Sequence, residues 1–263
     1  MELDDAYANG AYIEGADSYP PRWAAEAEAF RTSLGQRAEI GLRYGEGERE
    51  VYDLFHPEEE AKGTVVFVHG GYWRAFDRSS WSHLAAGALA QGWRVAMPSY
   101  TLCPENSISG ITNQIAAAVS AIAAQTEGPL VLTGHSAGGH LVARMLAPGM
   151  LPARVAERVA CVVPISPLSD LEPLLKTSMN DDFRMDLAEA RAESPVHQPV
   201  PDVPVTVWVG GDERPAFLDQ ARWLAEAWDV PCEIVTGRHH FDVIDALGDA
   251  ESALTRLLTG GAV

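Results

Sequence analysis

One serine in the chain stands where a catalytic nucleophile is expected. The segment GHSAG (residues 134–138) follows the apolar run Leu130–Thr133 and opens a helical pattern. A strand, a sharp turn and a helix in this order would raise the Ser136 hydroxyl above the edge of a sheet. The two glycines would let strand and helix pack closely, and the N–H of Ala137 would face a developing oxyanion. This spacing predicts Ser136 as the nucleophile of an acyl transfer.

A second glycine-containing turn would supply further oxyanion donors. HGGYW (residues 69–73) directly follows the apolar run Thr64–Val68. Where a serine occupies a strand–helix turn of this kind, the loop after an earlier strand contributes backbone amides to the oxyanion hole. Gly70 and Gly71 are the predicted donors, with Tyr72 as a further candidate.

The side chains beside this turn are candidates for substrate contacts. Tyr72, Trp73 and Phe76 would form an aromatic wall for the substrate, and plain core packing is an equally weighted alternative. Arg74 either meets a substrate carboxylate or pairs with an acid at the surface.

A general base and an acid should follow Ser136 in chain order. His239 and His240 are the only histidines after the last predicted strand, and His240 is favoured because an apolar helix start follows it. The acid should follow the run Val203–Val209, where Asp212 and Glu213 are adjacent. Neighbouring side chains point in different directions, so only one can orient the histidine, and the residues themselves leave the choice open.

The elements that must position these residues alternate along the chain. Continuous apolar runs are typical of parallel strands buried on both faces, and their alternation with helical patterns predicts a doubly wound α/β sheet. Ala38–Arg43 and Val51–Phe55 predict an antiparallel hairpin leading into it, and Ser107 is the predicted N-cap of a helix after residue 107. The predicted sheet strands are Thr64–Val68, Trp93–Met97, Leu130–Thr133, Ala160–Ile165, Val203–Val209 and Glu233–Val235.

Two segments fall outside this alternation. Residues 1–35 look helical and irregular, and residues 166–200 form a long excursion rich in acidic residues, proline and serine. Excursions of this kind often cover an active site. We therefore expect a single domain, residues 1–263, in which residues 1–35 and 166–200 act as cap elements.

Composition excludes several function classes. The net charge of −18 would repel nucleic acid and anionic membranes. No apolar run reaches the roughly 20 residues of a membrane span, and the N-terminus lacks the features of a signal peptide, which predicts a cytoplasmic protein. No metal-binding or dinucleotide motif is present, so no metal or cofactor is expected. The expected partner is a small-molecule acyl amide or ester, and a homodimer is possible.

These motifs resemble a known family. HGGYW together with GHSAGGHL (residues 134–141) is similar to the kynurenine formamidase, or arylformamidase, branch of the esterase/lipase/thioesterase α/β-hydrolases. The resemblance covers most of the chain and implies an eight-stranded, mostly parallel α/β-hydrolase sheet with an N-terminal helical segment and a short cap insertion. Further similar segments are Asp4–Tyr7, Tyr100–Glu105, Ile165–Leu174 and Phe217–Gln220.

The resemblance bears on the acid and the base. The family's triad acid lies four residues before the phenylalanine that Phe217 matches, which favours Glu213 over Asp212. The family's histidine precedes a phenylalanine, which favours His240 over His239. The implied reaction is hydrolysis of an N-formyl aryl amide such as N-formylkynurenine.

We therefore expect a serine hydrolase that cleaves a formyl or short acyl group. His240 would take the Ser136 proton, and the amides of Gly71 and Ala137 would hold the oxyanion. One alternative is a short-chain carboxylesterase or thioesterase. An alternative of another class is a non-catalytic binding module built on the same fold.

Overall fold

Eight strands form one sheet in the computed structural model, which describes residues 1–260. The strands, in chain order β1 to β8, are Ala38–Arg43, Val51–Phe55, Thr64–Val68, Arg94–Pro98, Leu130–His135, Val159–Ile165, Val207–Gly210 and Cys232–Val235. Their spatial order is β1-β2-β4-β3-β5-β6-β7-β8. β2 is antiparallel to both β1 and β4, and the remaining neighbours are parallel. The predicted mostly parallel sheet with an entering antiparallel hairpin is confirmed.

One predicted strand is shorter than its apolar run. The run Val203–Val209 forms a continuous strand only from Val207, with an isolated bridge between Val162 and Val205. Pro204 interrupts the run, and proline has no N–H to donate to a ladder. Its carbonyl still accepts a 3.0 Å hydrogen bond from the Val162 amide.

Helices cover both faces of the sheet. The α-helices, α1 to α9, are Tyr19–Leu34, Ala86–Ala90, Ile108–Gln125, Ala137–Arg144, Ala153–Ala156, Asn180–Phe183, Leu187–Glu193, Pro215–Trp228 and Ala253–Gly260. Buried residues of α3, α4 and α8 pack in one hydrophobic cluster, and those of α1, α2 and α9 pack in another. Neighbouring residues of β3 alternate between them, because Val66 belongs to the first cluster and Phe67 to the second. The sheet is therefore buried on both faces.

A local signal in the sequence explains where α3 begins. The Ser107 side chain accepts a 3.0 Å hydrogen bond from the Gly110 amide at the start of α3, which confirms the predicted N-cap. A 3-10 segment, Ser82–Ala85, leads directly into the short α2. Among residues 1–260, no helix is both long enough and apolar enough to cross a membrane.

The carboxyl ends of the parallel strands meet at one edge of the sheet. The loops after β3, β5, β6 and β7 leave from that edge, and the N-terminal segment and the excursion over residues 166–200 lie against it. A hydrogen bond from the Leu3 amide to the Lys176 carbonyl joins these two covering segments. The last three residues of the predicted domain, 261–263, lie outside the described part of the chain.

Candidate active site

Ser136 lies in a strained turn between β5 and α4. Its backbone has φ 57° and ψ −116°, a left-handed conformation that a residue with a side chain seldom adopts. The Ser136 amide donates a 2.8 Å hydrogen bond to the Ile165 carbonyl of β6, and the Ser136 carbonyl accepts one from His140 in the first turn of α4. The neighbouring strand and the following helix thus hold the turn in this strained form.

The two glycines of the turn are required by close packing. A Cβ on Gly138 would lie 1.9 Å from the Val68 carbonyl oxygen, and one on Gly134 would lie 2.4 Å from the Gly138 oxygen. Both contacts are with backbone atoms that cannot move aside. The glycine spacing of the sequence motif therefore has the packing role expected for it.

The loop after β3 approaches Ser136 from the other side. A Cβ on Gly70 would lie 3.1 Å from the Ser136 Cβ, and Gly71 has φ 103°, a conformation open only to glycine. Within residues 1–260, the amides of Gly71 and Ala137 have no protein hydrogen-bond acceptor. Backbone donors left free beside a serine hydroxyl are suited to bind an oxyanion.

His69 holds this loop in place. Its Nδ1 donates a 2.8 Å hydrogen bond to the Gly70 carbonyl, and its ring stacks on Tyr100 at 4.3 Å between centroids. Burial lowers the pKa of His69 to about 4, so the ring is neutral near pH 7.

Glu213 and His240 meet beside the serine. Nδ1 of His240 donates a 2.6 Å hydrogen bond to Oε2 of Glu213, and the glutamate side chain is fully buried. Oε1 of Glu213 accepts hydrogen bonds from the Gly210 amide, at 2.9 Å, and from the Ser166 hydroxyl. Asp212 donates its backbone N–H to the Arg238 carbonyl. The structure therefore brings Glu213, and not Asp212, against His240.

The two adjacent histidines occupy different surroundings. His240 and Ser136 line the same cavity, and the His240 ring packs on Phe217 at 4.3 Å between centroids. His239 is directed to the N-terminal helix, where its Nε2 lies 3.1 Å from the Tyr19 hydroxyl oxygen. His240 therefore shares the cavity of Ser136, and His239 does not line it.

His135 is a neutral neighbour of this pair. Its ring centroid lies 4.5 Å from that of His240, and it too lines the cavity. Burial, with the charge of His240 as a further cause, holds the pKa of His135 well below its ordinary value. The His135 ring is therefore neutral near pH 7.

A cavity of about 610 Å³ opens beside Ser136. One part of its wall is aromatic, and adjacent rings in this group lie 4.7 to 6.0 Å apart between centroids. Tyr72 lines the cavity as expected. Trp73 does not, because it is fully buried and packs edge-on against His140 and Phe183, so its expected place in the wall is corrected. The aromatic group consists of Trp23, Phe76, Trp81 and Phe241.

The N-terminal segment forms the cover of the cavity. Tyr7 and Asn9 line it, and the Tyr72 hydroxyl donates a 2.6 Å hydrogen bond to the Tyr7 carbonyl. Gln220, the last residue of the predicted Phe-x-x-Gln segment, donates a 2.9 Å hydrogen bond to the Tyr7 hydroxyl. These contacts join the cover to both the loop after β3 and α8.

Charged groups lie at the rim of the same cavity. Arg74 pairs with Asp182 at 2.6 Å, and Asp4 accepts a 2.6 Å hydrogen bond from the Ser178 amide. Arg74 and Asp182 are both about a third or more exposed, so solvent and ligands can reach them. Of the two readings weighed for Arg74, pairing with a surface acid is what the structure shows.

Two other groups of side chains carry atoms that could act as a nucleophile or as metal ligands. Cys103 also lines the cavity, but burial raises the pKa of its thiol to about 11, which keeps it protonated and poorly nucleophilic near pH 7.

A possible metal-ligand cluster is formed by Asp170, Glu172 and His197, which place one potential ligand atom each within 4.8 Å of one another. A 2.7 Å ion pair with Arg191 already engages Glu172, and the Glu172 amide donates to Asp170.

Sequence reasoning missed several residues of the site. Trp23 and Asn9 lack any motif that marks them as cavity residues, since their position depends on how the N-terminal segment folds back, whereas Tyr7 lies in the similar segment Asp4–Tyr7. Ser166 had an available signal, because it directly follows the strand next to β5 in a segment already noted for its resemblance.

Comparison with known proteins agrees with this geometry. The family model described as alpha/beta hydrolase fold matches residues 65–235. Kynurenine formamidase from Drosophila melanogaster is 29% identical over 238 residues, which cover 82% of this chain and 79% of that protein. The Danio rerio kynurenine formamidase is 28% identical, with 83% and 80% covered. These relatives confirm the resemblance indicated by the motifs.

Solved structures extend the comparison. A protein from Silicibacter sp. TM1040 that carries a provisional thioesterase name is 65% identical, with a TM-score of 0.98 and 98% of this chain and 99% of that chain covered. An esterase from Pyrobaculum calidifontis shares the fold at 17% identity, with a TM-score of 0.70 and 94% and 92% covered. On the family match and the 65% identical relative, the chain belongs to the α/β-hydrolase family.

Proposed function

We propose that this chain is a serine hydrolase that removes a formyl or other short acyl group from an aryl amide or ester, as a kynurenine formamidase does. The observation that carries the proposal is the 2.6 Å contact between buried Glu213 and Nδ1 of His240, in a cavity that Ser136 also lines. The names of the curated relatives supply the substrate class.

The first half of the reaction forms an acyl-enzyme. Nδ1–H of His240 donates to Glu213, so Nε2 is the unprotonated nitrogen that accepts the Ser136 proton. The Ser136 oxygen attacks the carbonyl carbon, and the amides of Gly71 and Ala137 bind the resulting oxyanion. The intermediate then collapses with loss of the amine or alcohol, to which His240 returns the proton.

The second half regenerates the serine. A water molecule gives a proton to His240 and attacks the acyl carbon, and the bond from that carbon to the Ser136 oxygen breaks. The proton on His240 passes to Ser136, and the small acid, formate for a formamide, is released. Glu213 stabilises the imidazolium formed in both halves without itself taking the proton.

The lining of the cavity supports an aromatic substrate with a charged tail. The aromatic group of Trp23, Phe76, Trp81 and Phe241 offers ring edges and faces for an aryl leaving group. At the rim, the Arg74–Asp182 pair can exchange partners with the carboxylate and ammonium of an amino acid, as found in N-formylkynurenine.

A second candidate function is supported by one relative. The protein with 65% identity carries a thioesterase name, and the same acyl-enzyme chemistry serves thioesters and esters. A large polyanionic thioester fits poorly with the net charge of −18 and with the rim carboxylates Asp4 and Asp182. A small neutral thioester or ester is therefore the alternative to test.

The deciding experiment compares initial rates on three substrates: N-formylkynurenine, p-nitrophenyl acetate and S-phenyl thioacetate. We expect the highest kcat/KM for the formamide, and loss of all three activities in Ser136→Ala. Good turnover of the ester or thioester with negligible formamide turnover would keep the triad and reassign the substrate. Full activity in Ser136→Ala would contradict the proposed nucleophile.

A further inference from the structure

We propose that Ser166 is a positioning residue that holds the Glu213 carboxylate in the orientation that His240 requires. The inference rests on the catalytic roles proposed above and extends the Ser136–His240–Glu213 series by one buried member. Ser166 does not line the cavity, so it acts through Glu213 and does not touch the substrate.

The backbone of Ser166 resembles that of Ser136 on the neighbouring strand. Ser166 directly follows β6, has φ 47°, and donates its N–H to the Trp208 carbonyl of β7 at 2.7 Å. Ser136 directly follows β5, has φ 57°, and donates to the Ile165 carbonyl of β6 at 2.8 Å. A strained backbone persists in a buried residue when its surroundings enforce it, which gives the Ser166 side chain one direction.

That direction leads to Glu213. The Ser166 hydroxyl donates to Oε1, which also accepts the Gly210 amide at 2.9 Å, while Oε2 accepts Nδ1–H of His240 at 2.6 Å. The two carboxylate oxygens thus have separate partners. Oε1 accepts the hydrogen bonds that anchor the carboxylate, and Oε2 accepts the hydrogen bond that orients His240. No lysine or arginine pairs with Glu213 within residues 1–260.

A glutamate needs this second anchor more than an aspartate would. Its side chain has one more rotatable bond, so fixing the carboxylate costs more conformational entropy. The Gly210 amide alone leaves the carboxylate free to rotate about the axis of that single hydrogen bond. The Ser166 hydroxyl removes this freedom and keeps Oε2 directed at His240.

The test compares Ser166→Ala with a matched control, Ser169→Ala. Both serines are fully buried in the same segment, but Ser169 donates to Gln220 and makes no contact with Glu213. We expect Ser166→Ala to lower kcat by about 10- to 100-fold with KM changed less than about threefold, because a hydrogen bond to a charged group is lost. Ser169→Ala should keep kcat within about twofold of wild type.

Two further measurements separate positioning from general damage. Ser166→Cys keeps a weak S–H donor and should recover part of the lost kcat. The downfield proton NMR signal of His240 Nδ1–H should shift or broaden in Ser166→Ala and stay unchanged in Ser169→Ala. Equal losses in the two alanine variants, or wild-type kcat and an unchanged NMR signal in Ser166→Ala, would overturn the proposal.

The same design distinguishes this inference from the proposed function. A fluorophosphonate that labels wild type and Ser169→Ala at full rate, with wild-type kcat in Ser166→Ala, would refute only the role of Ser166. A wild-type protein that neither reacts with the fluorophosphonate nor hydrolyses the three substrates would instead refute the triad itself.

Discussion

The edge of the sheet and the cover above it are built in different ways. At the sheet edge, Ser136 and Glu213 are buried: the Ser136 amide donates to the Ile165 carbonyl of β6, and Glu213 accepts the amide of Gly210 at the end of β7. In the cover, partly exposed ion pairs, such as Asp5 with Arg214 and Lys176 with Glu2, add to the hydrogen bonds of Tyr7. Exposed pairs contribute roughly 0 to 1 kcal/mol each, whereas a buried network tolerates little change. Under the proposed function, we expect the sheet edge to supply the chemistry and the cover, with the charged rim beside it, to select the substrate.

The largest effect should come from the sheet edge. Ser136→Ala removes the proposed nucleophile, and we expect kcat/KM for the preferred substrate to fall by at least about 10⁴-fold, with the melting temperature retained because alanine keeps the Cβ and fits the same backbone turn. Steady-state kinetics with thermal unfolding measures both. A residual rate within tenfold of wild type would place the nucleophile elsewhere.

The next largest effect should come from Glu213, and the adjacent Asp212 provides a matched control. Glu213→Gln keeps the shape of the side chain but removes the charge that stabilises the His240 imidazolium, and we expect kcat to fall by roughly 10³- to 10⁴-fold. Asp212→Asn changes the adjacent carboxylate, which makes no contact with His240, and should stay within about threefold of wild type. A larger loss in Asp212→Asn than in Glu213→Gln would reverse the assignment.

Buried histidines should make folding sensitive to acid. His140, in α4, is fully buried and donates from Nε2 to the Glu193 carbonyl, and burial lowers its pKa from 6.5 to about 4. The unfolded chain then binds the proton more tightly than the folded protein. The stability that neutral His140 allows is therefore fully present above about pH 6.5 and is lost progressively as the pH falls toward 4.

At pH 5 a histidine with a pKa lowered in this way reduces the free energy of unfolding by about 2 kcal/mol, relative to its value above pH 6.5. His140→Gln keeps an N–H donor without a titrating ring, so its free energy of unfolding should drop less between pH 7 and pH 5 than that of wild type. Urea unfolding at the two pH values measures the difference. The exposed His197 provides the control, and an equal reduction in His197→Gln would exclude burial as the cause.

The smallest effect should come from the charged rim of the cavity. Arg74→Gln and Asp182→Asn should each raise KM for N-formylkynurenine by several-fold and leave kcat/KM for p-nitrophenyl acetate within about twofold, because the ester has no charged tail. The ratio of the two specificity constants is the measurement. Equal changes on both substrates would show that the rim pair supports the fold and does not select the substrate.

The parts predictable from the sequence are those in which local geometry restricts residue type. Gly138 has no room for a Cβ beside Val68, so its identity records the close approach of helix and strand. The register of Phe217 selected Glu213, and the contact with His240 agrees with that choice. The central strands are also predictable, because burial on both faces of the sheet requires continuous apolar runs.

Other parts depend on contacts between distant segments and left no local signal. For Trp73 the sequence offers a cavity wall and core packing equally, and the structure shows the second, with φ 54° and the ring packed against His140. Trp23 reaches the cavity because α1 packs beside Trp81, which no spacing in the sequence reports. Ser166 gains its role only when β6 and β7 lie side by side.

The most direct test of the central claim is covalent trapping followed by peptide mass spectrometry. Wild type and His240→Ala are treated with a fluorophosphonate, digested, and searched for the phosphonylated peptide. We predict a single adduct on Ser136 in wild type, and labelling slowed by at least about 10³-fold in His240→Ala, because the serine then lacks its base. An adduct on another residue, or equal labelling of the two proteins, would contradict the account of Ser136 as a nucleophile activated by His240.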